Sequence, residues 1–189
     1  LKFRDEFLPG LNYNAPSHSL TAPAVFVGQA VHAPDLGHDD FAGIDLRGKI
    51  ALVFSGAPEN FDNDRRAFYA NSAEKLRAVS ERGAVGVVFV GTPQSEERSS
   101  WAKSSARWNM PGMRLRGDDG KGINTFPELK ASASISAAAA ARLFAGSGQM
   151  GIEALSLGAA HATFVDLVPE RLSDIQHALQ ALDIDRSCY

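Results

Sequence analysis

Short apolar runs bounded by turn residues dominate the first half of the chain. The runs Ala24–Val27 and Ile50–Phe54 are rich in β-branched and aromatic residues, and a turn that contains glycine follows each of them. A third run, Ala84–Val90, is short and nearly continuous in apolar residues, which is typical of a strand covered on both faces. The pattern predicts three buried β-strands.

A helical pattern lies between the second and the third of these strands. Residues 65–82 contain no Gly or Pro, and apolar residues recur mostly at spacings of three and four, which predicts one amphipathic helix. The apolar stripe consists of Phe68, Ala73, Leu76 and Val79. The residues that lie off this stripe are Glu74, Lys75, Arg77, Glu81 and Arg82. Gly83 is well placed to cap the helix end. The order strand–helix–strand predicts that strands 50–54 and 85–90 are parallel neighbours.

The remaining segments carry weaker patterns. Residues 1–22 show no sustained period and are interpreted as an irregular lead-in. Residues 91–122 also lack a period, so we interpret them as a functional or variable excursion, or as a segment that contains short strands. The run 129–135 predicts a further strand, and Ser136 suits the N-cap of an alanine-rich helix closed by Gly146.

Two further patterns lie near the end of the chain. Residues 159–165 predict a last strand, and Pro169 is placed to open a helix. The apolar positions of that helix recur at helical spacing and form one stripe, Leu172, Ile175, Leu179 and Leu182. Such a stripe must be covered by another surface.

Composition narrows the class of protein. The 189 residues suffice for one domain plus short flanking segments. The 44% hydrophobic and 22% charged residues are ordinary for a globular chain. A net charge of −3 argues against a protein that coats nucleic acid or an anionic membrane. The sequence contains no apolar run near the ~18–20 residues that span a bilayer. Because charges interrupt the first residues, which do not begin with Met, we expect a processed protein or a fragment.

Two acid-rich places invite comparison with a zinc site. His38 and Asp40 spell His-x-Asp, and Glu96 and Glu97 form an adjacent acid pair. A catalytic zinc needs at least three protein ligands on rigid elements, whereas His38 lies in a turn-rich loop and the glutamates in the polar excursion. We therefore reject all four as ligands. The other histidines are isolated in sequence, and Cys188 lies one residue from the end, a poor place for a nucleophile. The sequence predicts no catalytic residue, no metal ligand and no cofactor in this chain.

The excursion at 91–122 is the first candidate for a binding surface. Its aromatic residues alternate with cations, a pattern that also occurs in sites for an anionic ligand or single-stranded nucleic acid. Acidic residues in the same segment offset four of its six cations, so a solvated loop is the favoured interpretation and we expect no nucleic-acid partner. Loops on a rigid scaffold nevertheless carry much recognition. The candidate binding residues are Trp101, Arg107 and Trp108.

Several segments together resemble the protease-associated (PA) domain, in the version inserted in secreted zinc aminopeptidases of the glutamate-carboxypeptidase-like family. The segments are Val25–Gly28, Gly37–Ile50, Glu74-Lys75 before Gly83–Phe89, and Ser134–Ser136 before the alanine-rich helix. The phrase from Phe26 to Lys49 is the most specific of them. We therefore divide the chain into an irregular lead-in (1–22), a PA domain (23–146), and a return strand with an amphipathic helix (147–189), the last being the possible edge of a missing peptidase domain.

The resemblance implies a fold and a role. The fold is a mixed α+β, swivelling β/β/α arrangement, in which a small sheet or open β-barrel is flanked by helices. In such peptidases the domain does no chemistry, and it covers the active-site cleft or mediates contact with substrate or protein. The implied partners are the peptidase domain of the parent protein and a peptide or protein substrate. Zinc is expected in that peptidase domain, and the parent is expected to be secreted or extracytoplasmic.

The chain departs from the family in its last third. The zinc ligands of these peptidases lie mainly after the inserted domain, and residues 147–189 contain no such set and do not resemble the continuation. Two alternatives therefore stay open. One is a stand-alone protein-binding or sorting module, and the other is a complete small zinc hydrolase.

Overall fold

The structure is a computed structural model that describes residues 1–14 and 17–144, together with Gln176 and Leu179. The chain divides into two compact units, Leu1–Ala137 and Ala138–Tyr189. All strands of the described residues lie in the first unit. None of the described helices is both long and apolar enough to cross a membrane.

An open mixed sheet forms the centre of the first unit. The strands are β1 (Phe7–Pro9), β2 (Ala24–Phe26), β3 (His32–Ala33), β4 (His38–Asp39), β5 (Ile50–Phe54), β6 (Gly86–Val90) and β7 (Ala131–Ile135). Five of them follow the order β1-β7-β6-β5-β2, whereas β3 and β4 form a separate antiparallel pair. Strands β2, β5, β6 and β7 run parallel, and β1 joins β7 antiparallel. Among the described residues no closed barrel forms.

Within residues 1–14 and 17–144, five α-helices and one short 3-10 turn accompany these strands. The helices are α1 (Asn63–Ala70), α2 (Ser72–Glu81), α3 (Pro93–Arg98), α4 (Trp101–Ala106) and α5 (Ala137–Phe144), and the 3-10 turn is Pro34–Leu36. Helices α1 and α2 link β5 to β6, and α3 and α4 lie between β6 and β7. The predicted mixed α+β class, a small sheet with flanking helices, is confirmed.

The apolar runs form strands where the pattern placed them. Strands β5 and β6 are parallel neighbours, in register from Ile50 opposite Gly86 to Phe54 opposite Val90. Their alternate side chains pack with β2 and α2 in one apolar core that includes Val27, Val53, Val79 and Val87. Continuous apolar runs identify such strands because both faces of a parallel sheet are covered.

Gly83 ends α2 as the sequence predicts. Its φ is +80°, a left-handed conformation that glycine adopts at little cost. The Gly83 N–H donates to the Ser80 carbonyl over 2.9 Å, and the Ala84 N–H donates to the Val79 carbonyl over 3.1 Å. This pair of hydrogen bonds satisfies the last carbonyls of the helix.

The prediction of a single helix over 65–82 is wrong, because the helix is interrupted at Asn71. Asn71 is extended, with φ −64° and ψ 125°, and its side chain accepts the Ala73 N–H and caps α2. Asp62 caps α1 in the same way through the Arg65 N–H. Asparagine favours a cap over a helix interior, since its side chain competes for backbone donors. The break removes Phe68 from the apolar stripe, and 51% of Phe68 is exposed.

The segment interpreted as an irregular lead-in contains the edge strand β1. Phe7 pairs with Ile135 and Pro9 with Ala133, and the Gly10 N–H donates to the Ser132 carbonyl. A strand of three residues that includes a proline is too short to show a period. Its partner lies more than a hundred residues away, so only the folded chain reveals it.

The segment 91–122 contains two short helices rather than strands, apart from an isolated bridge between Arg116 and Gly122. Thr92 and Ser95 form a reciprocal capping box for α3, and Pro93 occupies its first turn. Ser100 caps α4 through the Lys103 N–H. Each helix has six residues, so neither shows a hydrophobic period, and the caps were the available sequence signal.

The predictions for the end of the chain mostly lie outside the described residues. These are Gly146, the strand 159–165, Pro169, Leu172, Ile175, Leu182, His161, His177 and Cys188. Gln176 and Leu179 are helical, and Leu179 is fully buried whereas Gln176 is exposed. The predicted domain limits at 22/23 and 146/147 stay predictions.

Candidate functional site

A cleft of about 410 Å³ lies where the parallel strands of the sheet end. Ser55 and Gly56 follow β5, Gly91 and Thr92 follow β6, and Ile135 is the last residue of β7. Helices α1, α3 and α4 supply the walls. Open sheets of parallel strands commonly bind ligands outside the carboxyl ends of their strands, because the loops that follow the strands converge there.

Uncharged hydrogen-bonding groups line most of this cleft. They include Gln29, Ser55, Gln94, Ser99, Ser104 and Ser134, whereas Phe89, Trp101 and Ile135 supply apolar surface. Thr92 and Ser95 also line it, and their hydroxyls are used in the capping box of α3. Serine hydroxyls and glutamine amides both donate and accept hydrogen bonds. The cleft therefore suits a ligand that carries many uncharged polar groups.

Charges of both signs lie in the same cleft. Arg66 on α1 and Arg98 on α3 are the cations, and Glu59 and Glu96 are the acids. Glu96 already accepts the backbone N–H of Ala137 over 2.7 Å at the start of α5. In the part of the chain that the structure describes, neither arginine side chain forms an ion pair. A ligand with mixed or no net charge fits this lining better than a highly charged one.

The turn after β2 brings Gln29 into the cleft. Gly28 and Ala30 on either side of it have φ of +50° and +54°. Asp40 Oδ2 accepts the N–H groups of Gln29 and Val31, each over 3.0 Å, which fixes the turn. A Cβ atom built on Gly28 would lie 2.6 Å from Asp40 Oδ1, so the carboxylate can approach because residue 28 is glycine.

A buried lysine also holds this turn, through the carbonyl group of Gln29. Lys75 on α2 is only 1% exposed, and its Nζ donates to the Gln29 carbonyl oxygen. Burial lowers the pKa of Lys75 to about 8, and the negative charge of Asp40 opposes that shift. The helical pattern places Lys75 off the apolar stripe, yet its side chain is buried. Helical spacing carries no signal for its burial, because its partner lies 46 residues away.

Three of the four residues rejected as zinc ligands have partners within the protein. His38 Nε2 lies 3.1 Å from Asp40 Oδ1, and the other oxygen of Asp40 holds the turn after β2. Glu96 accepts the Ala137 N–H on a different element, and Glu97 on α3 is exposed. The described residues include no group of three or more His, Cys, Asp or Glu that could hold a metal ion.

The three candidate binding residues separate in the structure. Trp101 lines the cleft, and its Nε1 donates to the Arg4 carbonyl over 2.9 Å. The Trp108 ring packs edge-on against Phe3, with centroids 4.8 Å apart, and does not line the cleft. Arg107 is exposed at the end of α4. Their role in binding stays a prediction. The sequence reasoning missed Gln29 and Arg66, and the position of Gln29 just after a strand was the available signal.

Comparison with known families identifies most of this unit. Residues 20–123, just over half of the chain, match the PA domain family. The chain belongs to the PA domain family. The match runs from β2 through α4, so the PA domain supplies all of the cleft except Ser134 and Ile135 on β7. Residues 124–188 match a second family, described as conserved hypothetical protein 95. No curated protein and no solved structure matches the chain.

Proposed function

We propose that this chain is the non-catalytic PA domain of a zinc metallo-aminopeptidase-like protein. In that protein it covers the active-site cleft or binds the peptide or protein substrate, and the zinc belongs to the peptidase domain of the parent. The parent is secreted or extracytoplasmic. Membership of the PA family supports the accessory role, and the segments that resemble the aminopeptidase version support the parent.

The cleft at the carboxyl ends of the parallel strands is the observation that carries a binding role. A polypeptide offers one N–H and one C=O in nearly every residue. The Ser and Gln side chains of the cleft match these groups, and Phe89 and Trp101 offer apolar surface for side chains. A volume of about 410 Å³ lies within the range of ligand sites.

The acidic and imidazole groups support a non-catalytic assignment, because structural contacts use them. Asp40 accepts two backbone N–H groups and contacts His38, and Glu96 accepts the first N–H of α5. A general base must reach the proton that it abstracts. The carboxylates of Asp40 and Glu96 instead contact groups of their own chain.

The test uses the parent reading frame and the full parent protein. We expect a zinc peptidase domain in the same frame. In that enzyme, Arg66→Ala should raise KM for a polypeptide substrate several-fold and leave kcat for leucine p-nitroanilide unchanged, because Arg66 lines the cleft of the PA domain. Arg65→Ala is the matched control, since Arg65 on the same helix pairs with Asp62 and does not line the cleft.

Two results would contradict the proposal. A reading frame without a peptidase domain would favour the stand-alone binding or sorting module. Zinc-dependent hydrolysis of leucine p-nitroanilide by the purified chain, lost on His38→Ala, would establish the small hydrolase.

A further inference from the structure

The side chain of Gln29 is an unused hydrogen-bonding group in the cleft. Among the described residues, nothing forms a hydrogen bond with its carboxamide, although its backbone N–H and C=O are both engaged. The amide lies beside Gly56, where an added Cβ atom would be 3.5 Å from Gln29 Nε2. A carboxamide carries donors and an acceptor side by side, and so does a peptide group. The two can therefore form a pair of hydrogen bonds.

Two opposite charges from distant parts of the chain hold the backbone of Gln29. Asp40 follows β4 and accepts its N–H, and Lys75 extends from α2 and donates to its carbonyl. The turn they hold includes Ala30 with positive φ, which a non-glycine residue adopts only at a cost. Residue 29 thus has one fixed backbone orientation, with its side chain in the cleft.

Stability alone explains this arrangement poorly. An ammonium group loses several kcal/mol of hydration when it is buried, and well-packed apolar replacements of buried ion pairs are often neutral or stabilising. In some proteins a buried charged or polar group selects one conformation among several. The conformation selected here is that of the turn that carries Gln29.

We propose that the cleft binds polypeptide main chain through the Gln29 carboxamide, and that Lys75 and Asp40 are positioning residues for it. The carboxamide donates to the C=O and accepts from the N–H of one extended segment, and the cleft needs no charge on that segment. The inference rests on the proposed function, since it names the contact by which the PA domain takes a polypeptide.

The test is a titration of the ¹⁵N-labelled chain with N-acetyl-trialanine N-methylamide, which offers peptide groups and no charge. The side-chain NH₂ signals of Gln29 should shift on binding. Gln29→Leu should raise Kd about fivefold or more, the loss expected for hydrogen bonds to neutral groups, with an unchanged Tm. Gln176→Leu is the matched control, because Gln176 is exposed and is not among the residues that line the cleft, and it should change Kd less than twofold.

The positioning role needs a separate readout. Lys75→Met should shift the backbone N–H signal of Gln29 in the free protein and raise Kd. The double variant Gln29→Leu/Lys75→Met should bind no more weakly than Gln29→Leu alone, because Lys75 acts only through residue 29. If Lys75→Met does not fold, Gln29→Leu and its control decide the proposal.

Three outcomes would overturn the inference. They are a peptide that shifts no cleft signal, a Kd for Gln29→Leu within twofold of the wild type, and additive losses in the double variant. The capped peptide could fail to bind while Arg66→Ala still raises the KM of the parent enzyme for a polypeptide. That pair of results would reject this inference and leave the proposed function standing.

Discussion

The turn at 28–31 and the loop at 107–123 are both irregular, and they are built in opposite ways. The turn is fixed by the partly buried carboxylate of Asp40 and the buried ammonium group of Lys75. The loop is attached through surface contacts, such as Trp108 on Phe3 and Arg114 over the Tyr13 ring. It leaves Met113 89% and Leu115 79% exposed. Irregular sequence therefore does not mean an undefined conformation, because buried partners decide how rigid a segment is.

The contrast also concerns where binding is expected. The sequence favours the loop as a binding surface, because its aromatic and basic residues lie close together along the chain. The cleft gathers its residues from the ends of several strands and from three helices. If the turn, and not the loop, is the rigid part of the domain, substitutions in the turn should cost more stability than substitutions in the loop.

The largest effect is expected at Gly28. Gly28→Ala adds a Cβ atom at a φ of +50° and 2.6 Å from Asp40 Oδ1, so it displaces the carboxylate that holds the turn. The free energy of unfolding should fall by about 3 kcal/mol. Gly43→Ala is the control, since its φ is +72° and nothing lies within 4 Å, and it should cost about 1 kcal/mol. Urea unfolding measures both, and equal losses would contradict a turn fixed by Asp40.

The next effect is the pH dependence that Lys75 adds to stability. Burial lowers its pKa to about 8 in the folded chain from the ordinary lysine value of 10.5, so the unfolded chain binds more protons between these two values. Stability therefore rises with pH in that window, and the cost of the buried charge is complete below pH 8. From pH 7 to pH 10 the wild type should gain about 2–3 kcal/mol relative to Lys75→Met. Urea unfolding at each pH measures the free energy of unfolding. If this free energy changes with pH equally in the two proteins, Lys75 is not buried with its charge.

A smaller effect should distinguish the two tryptophans of the excursion. Trp101→Phe keeps an aromatic ring and removes the hydrogen bond from Nε1 to the Arg4 carbonyl, so it should cost about 1 kcal/mol. Trp108→Phe keeps the ring contact with Phe3 and should cost less than about 0.5 kcal/mol. Thermal unfolding compares them, and the reverse order would mean that the loop, rather than α4, anchors this segment.

The smallest effect is expected in the loop itself. Met113→Gln and Leu115→Gln replace side chains that are almost fully exposed, so each should change the free energy of unfolding by less than about 0.5 kcal/mol. A loss above about 1 kcal/mol in thermal unfolding would show that the loop is packed as firmly as the turn.

The sequence was most informative where the pattern is local. The strands β2, β5, β6 and β7 and the glycine that ends α2 could be predicted, because apolar runs and caps act within a few residues. The break at Asn71 was missed because the apolar period continues through this residue. Asn71 nevertheless caps α2, and a residue that caps a helix cannot also lie in a helix interior. The strand β1 was missed because its partner is distant in sequence.

The candidate site divides in the same way. The sequence by itself determined the strand–helix–strand core and the PA family, since both depend on the order of short segments. Only the tertiary structure decided that Lys75 is buried, that Asp40 holds the turn after β2, and that Gln29 lines the cleft. The reason is physical. Hydration and Coulomb energies depend on which groups meet in space, and the groups that meet at Gln29 come from three separate parts of the chain.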